Sequence, residues 1–158
     1  MKDTFRQFQR RKSMVNDNQA INRVGHKERE YVEDVLRTQF KSSSGANYMR
    51  KLENAFAQRY QSKFAISCVN GTATMHASLE AMGVGAGDEV IVPAFTWIST
   101  ANVIEHQGAT PIFCDIDLST FNIDVAHIEN LITDRTVGIM PVHLFGLAAD
   151  ISPIMFIA

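Results

Sequence analysis

The stretch "CVNGTATMH", residues 68–76, decides how the rest of the chain is read. It follows an apolar run, "FAISCV" (64–69), which predicts a buried strand. It opens a helical pattern over 72–82, in which Met75, Leu79 and Met82 share one stripe and Gly83 ends the helix. Three small residues, Gly71, Thr72 and Ala73, stand at the junction. Two explanations are open. A helix needs a cap there, or something anionic sits there. A helix N-terminus offers unpaired N–H groups and the positive end of its dipole. Gly71 lets backbone approach a ligand closely, Thr72 adds a hydroxyl, and Ala73 adds an unobstructed amide. The motif suits a phosphate, and it also suits a plain cap.

Strand and helix patterns alternate outward from this point. "EVIVP" (89–93) predicts a second strand, and 96–107 a helix closed by Gly108. "TPIFCDID" (110–117) predicts a third strand, and 124–132 a further helix. "TVGIMPVHLFG" (136–146) holds a fourth strand, and "DISPIMFIA" (150–158) begins another helix. This order implies an α/β fold, a mostly parallel sheet with flanking helices and right-handed crossovers. Upstream, 27–40 reads as a helix with Tyr31, Val35 and Leu36 near one face. "KSSSGAN" (41–47) breaks it. Residues 48–60 resume a helix with Met49, Leu52, Phe56 and Tyr60 in register and Asn47 as its cap. The expected organisation is a loose arm over 1–20, a helical segment over 21–63 and an α/β unit over 64–158.

The 158 residues are 46% hydrophobic and 20% charged, as in a soluble globular protein with a real core. The net charge of −2 gives no global case for nucleic acid or a membrane surface. Its distribution is uneven. Residues 1–63 hold 14 of the 15 Lys and Arg, and 64–158 hold only Arg135 against 10 acids. The basic residues alternate with acids on helical patterns, which reads as a solvated face. Cys68 and Cys114 each lie in an apolar run, so both are expected as buried free thiols in a reducing compartment. No metal-ligand spacing is present, and the expected metal content is none. No stretch approaches the ~18 apolar residues of a membrane helix, and the expected location is cytoplasmic.

Two nucleotide motifs can be set aside. "GVGAGD" (83–88) imitates a glycine fingerprint but precedes a strand instead of following one. No GxxxxGK[ST] loop exists. "PAFTWIST" (93–100) places Trp97, the one tryptophan, just past a strand, where it is either core or a platform for a ligand. "PVHLFG" (141–146) puts His143 at another strand end, either as a satisfied buried histidine or beside a ligand. A phosphate cup and a flat aromatic on a neighbouring strand end suit a planar phosphorylated ring.

The run from "VNGTATMHASLEAMGVGAGDEVIVPAFTWIST" to "FCDIDLSTFNID", with "RTVGIMPVHLFGLAADI", resembles the DegT/DnrJ/EryC1/StrS family. "SSSGANYMRKLENAFAQRY" (42–60) is similar to that family's N-terminal segment, in its perosamine-synthase-like branch. The likeness covers about residues 21–157. It implies the N-terminal part of the large domain of the type I aminotransferase fold, with pyridoxal 5'-phosphate as cofactor. It also implies a nucleotide-linked keto sugar as substrate, glutamate as amino donor, and a homodimer whose subunits share each site. Carried over, Gly71, Thr72 and Ala73 would hold the cofactor phosphate, Trp97 would stack on its ring, and His143 would lie nearby. The family's Schiff-base lysine and its aspartate against the pyridine nitrogen lie downstream of the PVHLFG segment. The last lysine here is Lys63, so no catalytic residue can be assigned, and the chain is expected to be a truncated form, inactive alone. Hydrogen bonds to phosphate of ~1.5–3 kcal/mol each and stacking of ~0.5–1.5 kcal/mol stand against ~4–15 kcal/mol of association cost. Millimolar or weaker cofactor binding is expected. Two alternatives remain: a non-catalytic remnant or interaction module, and a pyridoxal-phosphate-dependent sugar dehydratase that lacks the lysine.

Overall fold

The computed structural model describes residues 24–38 and 47–158. The arm expected over 1–20 and the break over 41–46 lie outside them. The chain divides into two units, Met1–Ser67 and Cys68–Ala158. In the first, α1 spans His26–Thr38 and α2 spans Asn47–Tyr60, close to the predicted helices. Tyr48 donates its hydroxyl to Asp34 at 3.0 Å, and its ring packs 5.2 Å from that of Tyr31. The predicted stripe of α2, Met49, Leu52, Phe56 and Tyr60, is exposed.

The second unit is the α/β part. Its elements are α3 (Gly71–Ala81), β1 (Glu89–Pro93), α4 (Ser99–His106), β2 (Thr110–Cys114), α5 (Val125–Ile128), β3 (Thr136–Ile139) and α6 (Ile151–Ile157). A short 3-10 turn, Glu129–Leu131, extends α5. The sheet order is β2-β1-β3, all parallel. Every residue of the central strand β1 is buried, as a parallel strand covered on both faces must be. Side chains alternate across it. Val90 and Val92 pack with Leu79 of α3 and with Val103 and Ile104 of α4. Ile91 faces the other way and packs with Cys114, Ile123, Ile128 and Ile154.

Helices α3 and α4 end in the same way. Gly83 donates to Glu80 and Val84 to Leu79 (3.0 and 3.1 Å), and Gly108 donates to Glu105 and Ala109 to Ile104 (2.9 and 3.2 Å). Both glycines have positive φ, +75° and +78°, which a side chain would strain. "GVGAGD" is the helix-to-strand turn its position predicts, closed by Gly85 N–H donating to the Asp88 carboxylate at 2.9 Å.

Two expectations fail. "FAISCV" is not a strand: it has no ladder partner, and Phe64, Ile66 and Val69 are exposed. Apolar composition favours a strand only where a neighbour can pair its backbone. The sheet therefore has three strands among the described residues, not four. Ser67 N–H and hydroxyl turn instead to the Glu53 carboxylate at 2.9 and 2.8 Å. These bonds hold the carboxyl below its ordinary range. Without a strand to bury it, Cys68 is exposed, contrary to expectation, while Cys114 is buried as expected. The last strand also stops at Ile139, and 140–146 is a connecting loop with a 3-10 turn, Leu144–Gly146.

Candidate functional site

Helix α3 runs against the strand direction. Thr74 and Met75 of its first half share a cavity of about 330 Å³ with Met140 and Pro141, just past the carboxyl end of β3. Near its other end Leu79 accepts the Val84 N–H at 3.1 Å, and the chain runs from there into the amino end of β1 at Glu89. The start of α3 is thus at the carboxyl edge of the sheet. Trp97 lies four residues past β1 and His143 four past β3, and those strands are adjacent. Ligands in open α/β sheets gather at this edge.

Asn70 caps α3. Its backbone is extended (φ −164°, ψ 175°), and its Oδ1 accepts the Ala73 N–H at 2.9 Å. Its carbonyl accepts the Thr74 N–H at 3.2 Å and the Thr74 hydroxyl at 3.1 Å. The amide of Ala73 is therefore not unobstructed, as the sequence suggested, because an N-cap asparagine reaches it. The N–H groups of Gly71 and Thr72 find no acceptor among the described residues. An added Cβ on Gly71 would meet nothing within 4 Å, and its φ is not positive. Neither conformation nor packing demands glycine there. What glycine provides is open space over two free donors.

Trp97 is 77% exposed, which excludes the core explanation. Its turn is held from beneath. Thr100 is buried, donates its N–H to the Trp97 carbonyl at 3.0 Å, and shares a hydroxyl bond of 3.1 Å with Thr96.

His143 is exposed, so it is not a buried histidine. Its Nδ1 accepts the Ala149 N–H at 3.0 Å. A ring that accepts at Nδ1 carries its proton on Nε2, so it presents a donor and not a base. The loop that carries it is fixed by Asn122, a buried residue with no sequence signal. Asn122 Oδ1 accepts the Leu144 N–H at 3.0 Å, and its Nδ2 donates to the Leu147 carbonyl at 3.2 Å. Phe121 and Phe145 take φ of 60° and 52°, a conformation costly for bulky side chains. With Phe95 they form a partly exposed aromatic row, with ring centroids 5.8 and 6.4 Å apart.

The family model for the DegT/DnrJ/EryC1/StrS aminotransferase family matches residues 22–158. This chain belongs to that family. GDP-perosamine synthase of Caulobacter vibrioides is 48% identical over 139 residues, 88% of this chain and 37% of that protein. The aminotransferase from Psychrobacter cryohalolentis superposes with a TM-score of 0.81 at 38% identity, over 85% of this chain and 34% of that one. NtdA from Bacillus subtilis, solved with bound cofactor PMP, superposes at 0.71 with 34% identity, over 82% and 31%. The chain spans about a third of the length of the relatives it matches. The fold is that of the pyridoxal-phosphate-dependent aminotransferases, and pyridoxal phosphate is the family's cofactor. Among the described residues no helix is long and apolar enough to cross a membrane.

Proposed function

We propose that this chain is the cofactor-cradling portion of a pyridoxal-phosphate-dependent aminotransferase acting on a nucleotide-linked keto sugar, with glutamate as amino donor. The observation that carries the reading is the pair of free N–H groups at Gly71 and Thr72, with open space above Gly71. The Thr72 hydroxyl and these two amides would hold the cofactor phosphate, supported by the helix dipole. Ala73 contributes through its small side chain, since its amide is tied to Asn70. Trp97 would cover one face of the pyridine ring. The His143 Nε2–H would donate to an acceptor on cofactor or substrate. The bound cofactor supplies the electron sink for amino transfer, and the chain's own residues bind and orient it. The nucleotide-sugar class rests on the likeness to GDP-perosamine synthase. Use of the amino sugar in lipopolysaccharide or another glycoconjugate, a cytoplasmic site and a homodimer belong to the same reading. The exposed apolar stripe of α2 supports a second copy.

The test uses the fluorescence of the sole tryptophan. Pyridoxamine 5'-phosphate should quench Trp97 saturably in the millimolar range, and pyridoxamine without phosphate should not. Thr72→Ala should weaken the effect about tenfold, the loss of one hydrogen bond to a charged group. Equal quenching by both compounds would refute the phosphate seat.

A further inference from the structure

Outside this site, two histidines face each other on neighbouring helices. His76 lies midway along α3, and His106 is the last residue of α4. Both are exposed. Their ring centroids are 6.0 Å apart with planes inclined at 54°. The Gln107 side-chain amide donates to the His76 carbonyl at 3.4 Å, which ties the two helices at this level. We propose that His76 and His106 form a binding site for a borderline divalent transition-metal ion, such as Ni²⁺, Cu²⁺ or Zn²⁺.

The separation is the first argument. A metal–nitrogen bond of about 2.0–2.1 Å and roughly 1.1 Å from ring nitrogen to centroid set the spacing of two imidazoles on one ion. Their centroids then lie about 5 Å apart at the tetrahedral angle and about 6.4 Å apart when linear. The observed 6.0 Å lies about 1 Å beyond the tetrahedral spacing, a gap that rotation of the two rings closes. Exposure leaves both rings free to rotate about χ1 and χ2.

The field is the second argument. From Cys68 to Ala158 the sequence carries ten acids and one Lys or Arg, Arg135, whose guanidinium is bound to the Glu89 carboxylate. Glu80 follows His76 by one helical turn, and Glu105 precedes His106. His106 also sits in the last turn of α4, where the helix dipole favours a cation. No lysine or arginine of this unit competes for the position. Among the described residues no third His, Cys, Asp or Glu completes the cluster, so water fills the remaining coordination positions. A bound ion would clamp the helix that begins at Gly71 to the helix that follows Trp97. The site stands independently of the cofactor reading.

Equilibrium dialysis of the 158-residue chain against NiCl₂, CuSO₄ and ZnCl₂ tests it. One ion per chain is expected, bound more tightly for Cu²⁺ than for Ni²⁺ or Zn²⁺. His76→Gln and His106→Gln should each weaken this site at least tenfold, while His26→Gln and His127→Gln leave it unchanged. Ni²⁺ should raise the Tm of the parent chain and of neither His76 nor His106 variant, and that comparison separates lost ligation from lost folding. Binding that survives either substitution at full strength overturns the proposal, as does a chain that takes up no ion.

Discussion

At the scale of single residues, burial separates two thiols that the sequence treats alike. Cys114 is fully buried, and burial together with the Asp124 and Asp115 carboxylates pushes its thiol up. A thiol held protonated and out of solvent is unreactive. Cys68 is exposed. A thiol reagent should therefore titrate one cysteine in the native chain and two after denaturation. Two reactive thiols before unfolding would contradict the packing of β2. Glu89 gives the pH prediction. It is buried and accepts from the Thr133 hydroxyl at 2.6 Å and from the Arg135 guanidinium. The Thr133 bond first, and then Arg135, hold its carboxyl below the ordinary range against the opposing effect of burial. A depressed folded-state pKa contributes stability that is present above the unfolded value and is lost as pH falls through the folded one. Glu89→Gln should lower Tm at neutral pH and narrow the gap to the parent chain on acidification. A gap that widens in acid would reverse the assignment.

At the scale of elements, the two glycine-closed helices make a matched pair of tests. Gly83→Ala and Gly108→Ala should each cost about 1–2 kcal/mol, read from urea unfolding, because each forces a Cβ into the left-handed region. A loss within ~0.3 kcal/mol would mean that the helices end elsewhere. Asn122→Ala leaves the Leu144 N–H and the Leu147 carbonyl without partners and should cost about 1–3 kcal/mol. Faster amide exchange at Leu144 is the direct readout. Much of this scale was legible in the sequence. Gly83 and Gly108 announced helix ends, and 89–93 was placed to the residue, because local chemistry decides them. The "FAISCV" run misled, since its apolar pattern says nothing about whether a partner strand is at hand. Asn70 was not singled out as the cap, although an asparagine directly before a helical pattern is a local signal for one, and its hold on Ala73 was missed with it. Asn122 was not legible, because its partners lie 22 and 25 residues away.

At the scale of the whole molecule, β3 is an outer strand of the sheet among the described residues, and its Gly138 and Ile139 line the apolar cavity with Met75, Leu79 and Met82. Val137 on that strand and Met155 and Phe156 at the end of α6 are exposed. An uncovered apolar edge invites pairing. The 158-residue chain should self-associate in size-exclusion chromatography with light scattering, and Val137→Lys should shift it towards monomer. A sharp monomer peak for the parent chain would contradict this. The central claim is that a phosphate sits on the start of α3 beneath an aromatic platform. Its most direct test is an ¹⁵N-resolved NMR titration with pyridoxamine 5'-phosphate. The account predicts saturating shifts at the Gly71 and Thr72 amides and at the Trp97 indole N–H, with little change at the capped Ala73 amide. Shifts scattered over surface residues, with Gly71 and Thr72 unmoved, would contradict it.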